Sequence, residues 1–257
     1  MLIRNNDILM IFRARNEETN IQHFLDHHKD MYDCFVALID RSSDGTYGIV
    51  KKDAKCAAVF EKIHDIGYSH QKDHSVLEHI CQFFPHKWIW RLDIDERVCH
   101  TFMDEMKNVP EGVVNIGMRF LSLFPDDRHF ISGNHTYAKI QPITRLFRRI
   151  ERDGIPTRND APVYISNSLV YHYNMISPMR REHRYATYVK YNPESLKDVQ
   201  RGYGHIVDVE KIRYLPHGNC QTLSELCSYL LSMSNITITE KKDISNIVKT
   251  VVNRWIY

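Results

Sequence analysis

Apolar and polar positions along the first hundred residues fall into alternating blocks. Residues 8–12 (Ile-Leu-Met-Ile-Phe) are an unbroken apolar run, which predicts a strand buried on both faces. Polar residues 13–18 follow. Then Ile21, Phe24, Leu25 and His28 recur at i, i+3, i+4 and i+7, the spacing of one helix face. Asn16 suits the N-cap of that helix, and Glu17 and Glu18 are favourable in its first turn. A second apolar run, Cys34 to Ile39, ends at Asp40. Ser42-Ser43-Asp44-Gly45 then reads as a turn opening a short helix that carries Tyr47 and Val50. Residues 57–60 predict a third strand. Val76, Leu77, Ile80 and Phe84 predict a helix that stops near Pro85. Trp88 to Leu92 predicts a fourth strand, which runs straight into Asp93-Ile94-Asp95-Glu96.

Strands alternating with helices predict an α/β fold with helices on both faces of the sheet. Ligands in such sheets bind at the carboxyl ends of the strands. The polar clusters at 13–17, 40–44 and 93–96 each follow a predicted strand directly, so the pattern places all three on one edge. Residues 113–120 predict a further strand, while 121–170 is irregular. The basic stretch 178–191 predicts a helix, and 222–233 and 241–256 predict two closing helices. With no repeat, low-complexity tract or linker, the expected organisation is a catalytic domain over 1–190 and a helical extension over 191–257 packed on it.

Composition narrows the function classes. Lys and Arg number 34 against 32 Asp and Glu, a net charge of +2, which is not the balance of a protein that grips nucleic acid by bulk charge. None of the six cysteines forms a C-x-x-C pair, so they read as reduced, mostly buried thiols. The opening residues lack the apolar run of a signal peptide, and no stretch approaches the roughly 18–20 apolar residues of a membrane span. A cytoplasmic location is expected, with a peripheral position at a membrane left open.

The candidate chemistry lies in the strand-end clusters. Asp93 and Asp95, one residue apart, offer oxygen ligands suited to Mg²⁺ or Mn²⁺, ions that commonly hold a diphosphate. Asp40 is placed to accept hydrogen bonds from a base or a ribose. Ser43, Asp44 and Gly45 fit turn and capping roles. The loop Arg13-Ala14-Arg15-Asn16-Glu17, rich in cations and opening a helix, suits an anion and a ribose; Asn16 and Glu17 suit capping equally well. Arg180, Arg181 and Arg184 suit a lid over a diphosphate. A solvated basic helix face is the alternative for them.

These motifs, in this order, resemble family 2 glycosyltransferases of the GT-A fold. The likeness rests on the strand followed by Arg15-Asn16-Glu17, the His27-His28 pair, Leu38-Ile39-Asp40-x-Ser42-Ser43-Asp44-Gly45-Thr46, and Trp88-x-Trp90-x-Leu92-Asp93-x-Asp95-Glu96. It covers 8–96 firmly and extends loosely to about 190. The resemblance implies a GT-A, Rossmann-like mixed sheet flanked by helices, with a helical C-terminal part. It implies inverting transfer of a sugar from a UDP-, GDP- or dTDP-sugar to a glycan, lipid-linked or protein acceptor. Carried over by position, Arg13, Arg15, Asn16, Glu17, Asp40 and Asp93 would contact the nucleotide, and Asp95, with Asp93, would ligate Mn²⁺ or Mg²⁺. Many relatives have an Arg-Asn pair where this chain has Gln71-Lys72-Asp73, so Lys72 is the cation there. Arg145-Leu146-Phe147-Arg148, then Asn159-Asp160 where the family usually has His-Glu, then His172-Tyr173 resembles a further segment of the family. It makes Asp160 the expected general base, with Asp153 and Glu151 as alternatives, and His172 a further metal ligand. A nucleotidyltransferase, or an inactive nucleotide-binding module, is the rival reading.

Overall fold

The structure is a computed structural model. It describes residues 1–62, 76–77, 79–123, 127–131, 142–148, 151–152, 155–156, 163–173, 176, 182, 186, 212–214, 222 and 224–225. The chain divides into two compact units. The first comprises Met1–Val98, Phe102–Met118 and Ile143–Ser166, and the second comprises Cys99–Thr101, Arg119–Pro142 and Asn167–Tyr257. In chain order the first half contributes β1 (Ile8–Ala14), α1 (Glu18–His28), β2 (Cys34–Asp40), α2 (Thr46–Lys52), β3 (Cys56–Lys62), β4 (Trp88–Arg91) and β5 (Glu96–Val98). A short helix at Thr101–Met106 leads to β6 (Asn115–Ser122) and β7 (His129–Ile131). Then come β8 (Pro142–Arg148), β9 (Glu151–Arg152), β10 (Ile155–Pro156), β11 (Val163–His172) and β12 (Ile212–Tyr214).

The first unit is built on an eight-stranded sheet in the order β3-β2-β1-β4-β8-β6-β11-β5, each strand lying in that unit wholly or in part. β1 pairs in parallel with β2 and with β4, and β2 in parallel with β3. β8 runs antiparallel to β4, which makes the sheet mixed. The α/β class expected from the sequence is therefore present: a central parallel block flanked by helices.

Burial explains why these segments took these forms. All of β1 is buried except Arg13, as a strand covered on both faces must be. α1 buries Ile21, Phe24, Leu25 and His28, the four residues marked by the helical spacing. Phe12 of β1 meets Phe24 edge-on at 5.3 Å between ring centroids and Phe35 of β2 at 5.1 Å, which locks helix to sheet. Each such ring contributes about 1.5–3 kcal/mol by leaving water. Behind β4, Trp90 stacks on Phe102 at 5.4 Å.

In the second unit β12 pairs antiparallel with β7, and Leu123 N–H donates to the His172 carbonyl at 3.0 Å. Asn167 Oδ1 accepts hydrogen bonds from Ser224 N–H (3.3 Å) and Ser224 Oγ (3.1 Å). Of the helices expected at 178–191 and 222–233, the described residues Glu182, Ala186, Ser224 and Glu225 are helical, whereas Thr222 forms an isolated antiparallel bridge with Ser168. The rest of them, the helix over 241–256 and the boundary near 190 lie outside the described residues. No helix among the described residues is long and apolar enough to cross a membrane.

Candidate functional site

The order β3-β2-β1-β4 means that the chain first builds outward on one side of β1 and then crosses to its other side. β1 and β4 are paired neighbours, so the boundary between them is a switch point, the kind of place where α/β sheets bind ligands at the carboxyl ends of their strands. Register brings the ends together: Ala14 lies opposite Ile39, and Ile11 opposite Arg91. The β1–α1 loop, the β2–α2 loop and the acidic turn after β4 all start from this edge.

The first two loops are laced to each other. Asn16 N–H donates to Ser42 Oγ at 3.0 Å, and Ser43 N–H donates to Asn16 Oδ1 at 2.9 Å. Glu17 N–H donates to Thr46 Oγ1 (2.8 Å) and Glu18 N–H to Asp44 Oδ2 (3.1 Å). The expected N-cap is thereby corrected. The cap position of α1 is Glu17, and no side chain caps locally. The free N–H groups at the helix start are instead satisfied from the second loop, which leaves the Asn16 side chain to bridge to Ser43. Asp44 does serve the start of α2, accepting from Thr46 N–H at 3.1 Å and from Thr46 Oγ1 at 2.5 Å. Burial pushes the Asp44 carboxyl up, but the bonds from Thr46 and from the Glu18 backbone outweigh it and hold it below its ordinary value. Gly45 sits at φ −70, which any residue adopts; a side chain there would meet the Glu18 carboxylate.

Asn16 and Arg41 both stand in the left-handed region, at φ 52 and φ 47. Two non-glycine residues held there, one in each loop at the same sheet edge, mark conformations imposed by the surroundings. Asn16→Ala is expected to lower stability by about 1–2 kcal/mol, because alanine tolerates this φ poorly and the bridge to Ser43 is lost. Asn16→Gly should lose less. Urea unfolding of the two variants checks the ranking.

Asp40, 5% exposed, accepts a hydrogen bond from Arg41 Nε at 2.8 Å. The carboxylate is thus presented already paired with a cation. Arg13 and Arg15 are half-buried. Arg15 Nε is buried with no hydrogen-bond partner among the described residues, a donor whose desolvation costs about 1–3 kcal/mol until an acceptor meets it.

The acidic turn is held by its own backbone and by α1. Asp93 N–H donates to Glu96 Oε2 and Glu96 N–H to the Asp93 carbonyl, both at 3.0 Å. Asp93 is half-buried, whereas Asp95 is 2% exposed. A carboxylate so removed from water must be compensated by donors or a cation. Arg97 Nη1 donates to the carbonyls of Ile94 (2.7 Å) and Glu96 (2.8 Å), and its guanidinium lies over Phe24 at 5.5 Å. Val98 is clamped on both sides: its N–H donates to His28 Nε2 (3.1 Å), and its carbonyl accepts from His27 Nε2 (2.8 Å). His28 must then be the neutral tautomer whose Nδ1–H donates to the Phe24 carbonyl at 2.9 Å. The roles of Glu96, Arg97, His27 and His28 were not signalled by spacing, although the adjacent His pair is conspicuous in the sequence.

Lys72, Asp153, Asp160, Arg180, Arg181 and Arg184 lie outside the described residues. Glu151 is in β9, paired with Pro156 of β10. His172 ends β11 in the second unit, edge-on to Phe120 at 5.9 Å. The chemistry of the donor set at 93–95, two carboxylates on one turn, fits a hard divalent cation.

No protein-family model and no curated protein matches the chain. Among solved structures, one similar in fold is S. aureus TarS 1–349 in complex with UDP-GlcNAc, at 13% identity and a TM-score of 0.43, covering 96% of this chain and 80% of that one. Against a longer TarS structure the chain spans 50% of its length. A second is glucosyl-3-phosphoglycerate synthase from Mycobacterium tuberculosis in complex with Mn²⁺, UDP and glucosyl-3-phosphoglycerate. It shows 15% identity and a TM-score of 0.31 over 47% of this chain and 46% of that one. A third is the inositol-1-phosphate CTP transferase from T. maritima, at 9% identity and a TM-score of 0.38, over 78% of this chain and 99% of that one. At these scores the likeness is one of chain path, and what the site can do rests on its own residues.

Proposed function

We propose that this chain is a glycosyltransferase that moves a sugar from a nucleoside-diphospho-sugar to an acceptor hydroxyl with inversion at the anomeric carbon. The supporting observation is the arrangement at the β1–β4 switch point. There a cation-bearing loop, an Asp40-bearing loop laced to it, and the Asp93–Asp95 turn leave one edge of the sheet. In this reading Asp40 and the 13–17 loop bind the nucleoside. Arg15 supplies a donor to an anionic oxygen, and Lys72 is a further cation for the diphosphate. Asp93 and Asp95 would hold Mn²⁺ or Mg²⁺. When bound, such an ion offsets charge growing on the departing diphosphate. The lacing of the two loops keeps the cradle pre-organised, so little ordering entropy is lost when nucleotide enters. Asp160, with Asp153 and Glu151 as alternatives, is proposed to take the acceptor proton, and Arg180, Arg181 and Arg184 to cover the diphosphate.

The direct test is calorimetry with UDP, GDP and dTDP, with and without Mn²⁺, followed by release of nucleoside diphosphate from a panel of their sugars. One nucleotide should bind more tightly with Mn²⁺, and its sugars should release it in the presence of acceptor. If no nucleoside diphosphate binds under either condition, the proposal fails. Pyrophosphate release from a nucleoside triphosphate would move the assignment to nucleotidyl transfer.

A further inference from the structure

A second cluster of metal-ligating side chains sits at the amino ends of the same parallel strands, on the edge opposite the acidic turn. Cys34 opens β2, His86 lies two residues before β4 begins, and β1 runs between those strands. The backbone fixes the donors: Asp33 N–H donates to the Ile8 carbonyl at 3.0 Å, and Cys34 lies opposite Leu9 in the β1–β2 register. His86 is 8% exposed, and its Nε2 stands 2.8 Å from Asp33 Oδ2 and 3.8 Å from Cys34 Sγ. Its Nδ1 is buried without a hydrogen-bond partner among the described residues, so the ring directs its polar contacts to the Asp33–Cys34 side. One ligand atom from each of the three residues lies within 4.8 Å of the other two.

A plain His–Asp ion pair accounts for the 2.8 Å contact but not for a thiol facing the same nitrogen.

We propose that Asp33, Cys34 and His86 form a zinc site, separate from the oxygen-donor pair at the carboxyl edge. One sulfur, one imidazole nitrogen and one carboxylate oxygen form a donor set that suits Zn²⁺ and discriminates against Mg²⁺ and Mn²⁺. Bonds of about 2.3 Å to sulfur and about 2.0 Å to nitrogen at a tetrahedral angle separate those two ligands by about 3.5 Å. The 3.8 Å seen between Cys34 and His86 needs only a small adjustment. Asp33, with its side chain 51% exposed, lies on the solvent side, where a water completes the fourth position. The ion ties the start of β2 to the segment entering β4 across β1.

The test uses the full-length chain, reduced and stripped of metal, titrated with Co²⁺, whose bond to a thiolate produces a charge-transfer band. One equivalent should bind with that band, and Zn²⁺ should displace it. Cys34→Ser should abolish the band, and Asp33→Asn should weaken Co²⁺ binding about tenfold or more, since even outer-shell partners are worth that much. Asp95→Asn should keep the band. Zn²⁺ should raise the melting temperature of the wild type but not of Cys34→Ser. No band in the wild type, or a band that survives Cys34→Ser, overturns the site. The readout involves neither nucleotide nor transfer, so its failure leaves the proposed sugar transfer standing, and the reverse holds.

Discussion

Asp95→Asn is expected to lower sugar-transfer turnover by about 10²- to 10³-fold, the usual loss when one pre-organised electrostatic contact to developing charge is removed. The substitution keeps the shape of the side chain and deletes its charge. Asp95 is 2% exposed and sits in a turn whose backbone is independently held by Glu96 and Arg97. Far-ultraviolet circular dichroism and cooperative unfolding should therefore remain, and the effect should appear as lost turnover and a higher Mn²⁺ requirement. Asp104→Asn is the control. Its 2.6 Å ion pair with Lys107 is solvent-exposed, and such pairs contribute about 0–1 kcal/mol, so turnover and stability should hardly change. Wild-type turnover in a folded Asp95→Asn protein would remove the acidic turn from the chemistry.

His28→Ala should destabilise the fold by about 3 kcal/mol. Val98 N–H would be left buried without its acceptor, which costs about 1–3 kcal/mol, and the lost ring opens a cavity beside Phe24 and Trp90. In a chain of this size that corresponds to a fall of about 6–12 °C in melting temperature. His27→Ala, which frees only the Val98 carbonyl from a half-buried ring, should fall by about 1 kcal/mol. Val98 closes β5, which begins at Glu96, so the His28 variant should also lose turnover. Urea unfolding with activity at matched folded fraction separates the two effects. A change under 1 kcal/mol for His28→Ala would show that the clamp is dispensable.

Some of this architecture was open to reading from the order of residues alone. β1, α1, β2 and β4 carry unambiguous local signals: unbroken apolar runs, or a face repeating at 3.6 residues. Burial in the structure falls on the residues those signals mark, down to Ile21, Phe24, Leu25 and His28. Polar clusters following three such strands could be placed on one edge because right-handed crossovers leave parallel strands little choice. β11 was not legible. Its Tyr164, Ser166 and Ser168 interrupt the apolar pattern, and only tertiary contact makes them compatible with burial. Tyr164 OH and Ser166 Oγ donate to Glu105 at 2.9 and 2.6 Å, and Ser168 Oγ lies 3.0 Å from Thr101 Oγ1.

The same division runs through the candidate site. Asp40, Asp93 and Asp95 are visible because a carboxylate at the end of an apolar strand is unusual at short range. The lacing of Asn16 to Ser42 and Ser43, the helix start satisfied by Asp44 and Thr46, the clamp on Val98, and the Asp33–Cys34–His86 cluster join residues 26 to 71 positions apart along the chain. Local sequence determined which segments became strands and helices, since backbone propensity and hydrophobic period act over a few residues. Tertiary structure alone decided which polar groups met, because a hydrogen bond or a ligand set depends on distances that exist only after strands have found their register.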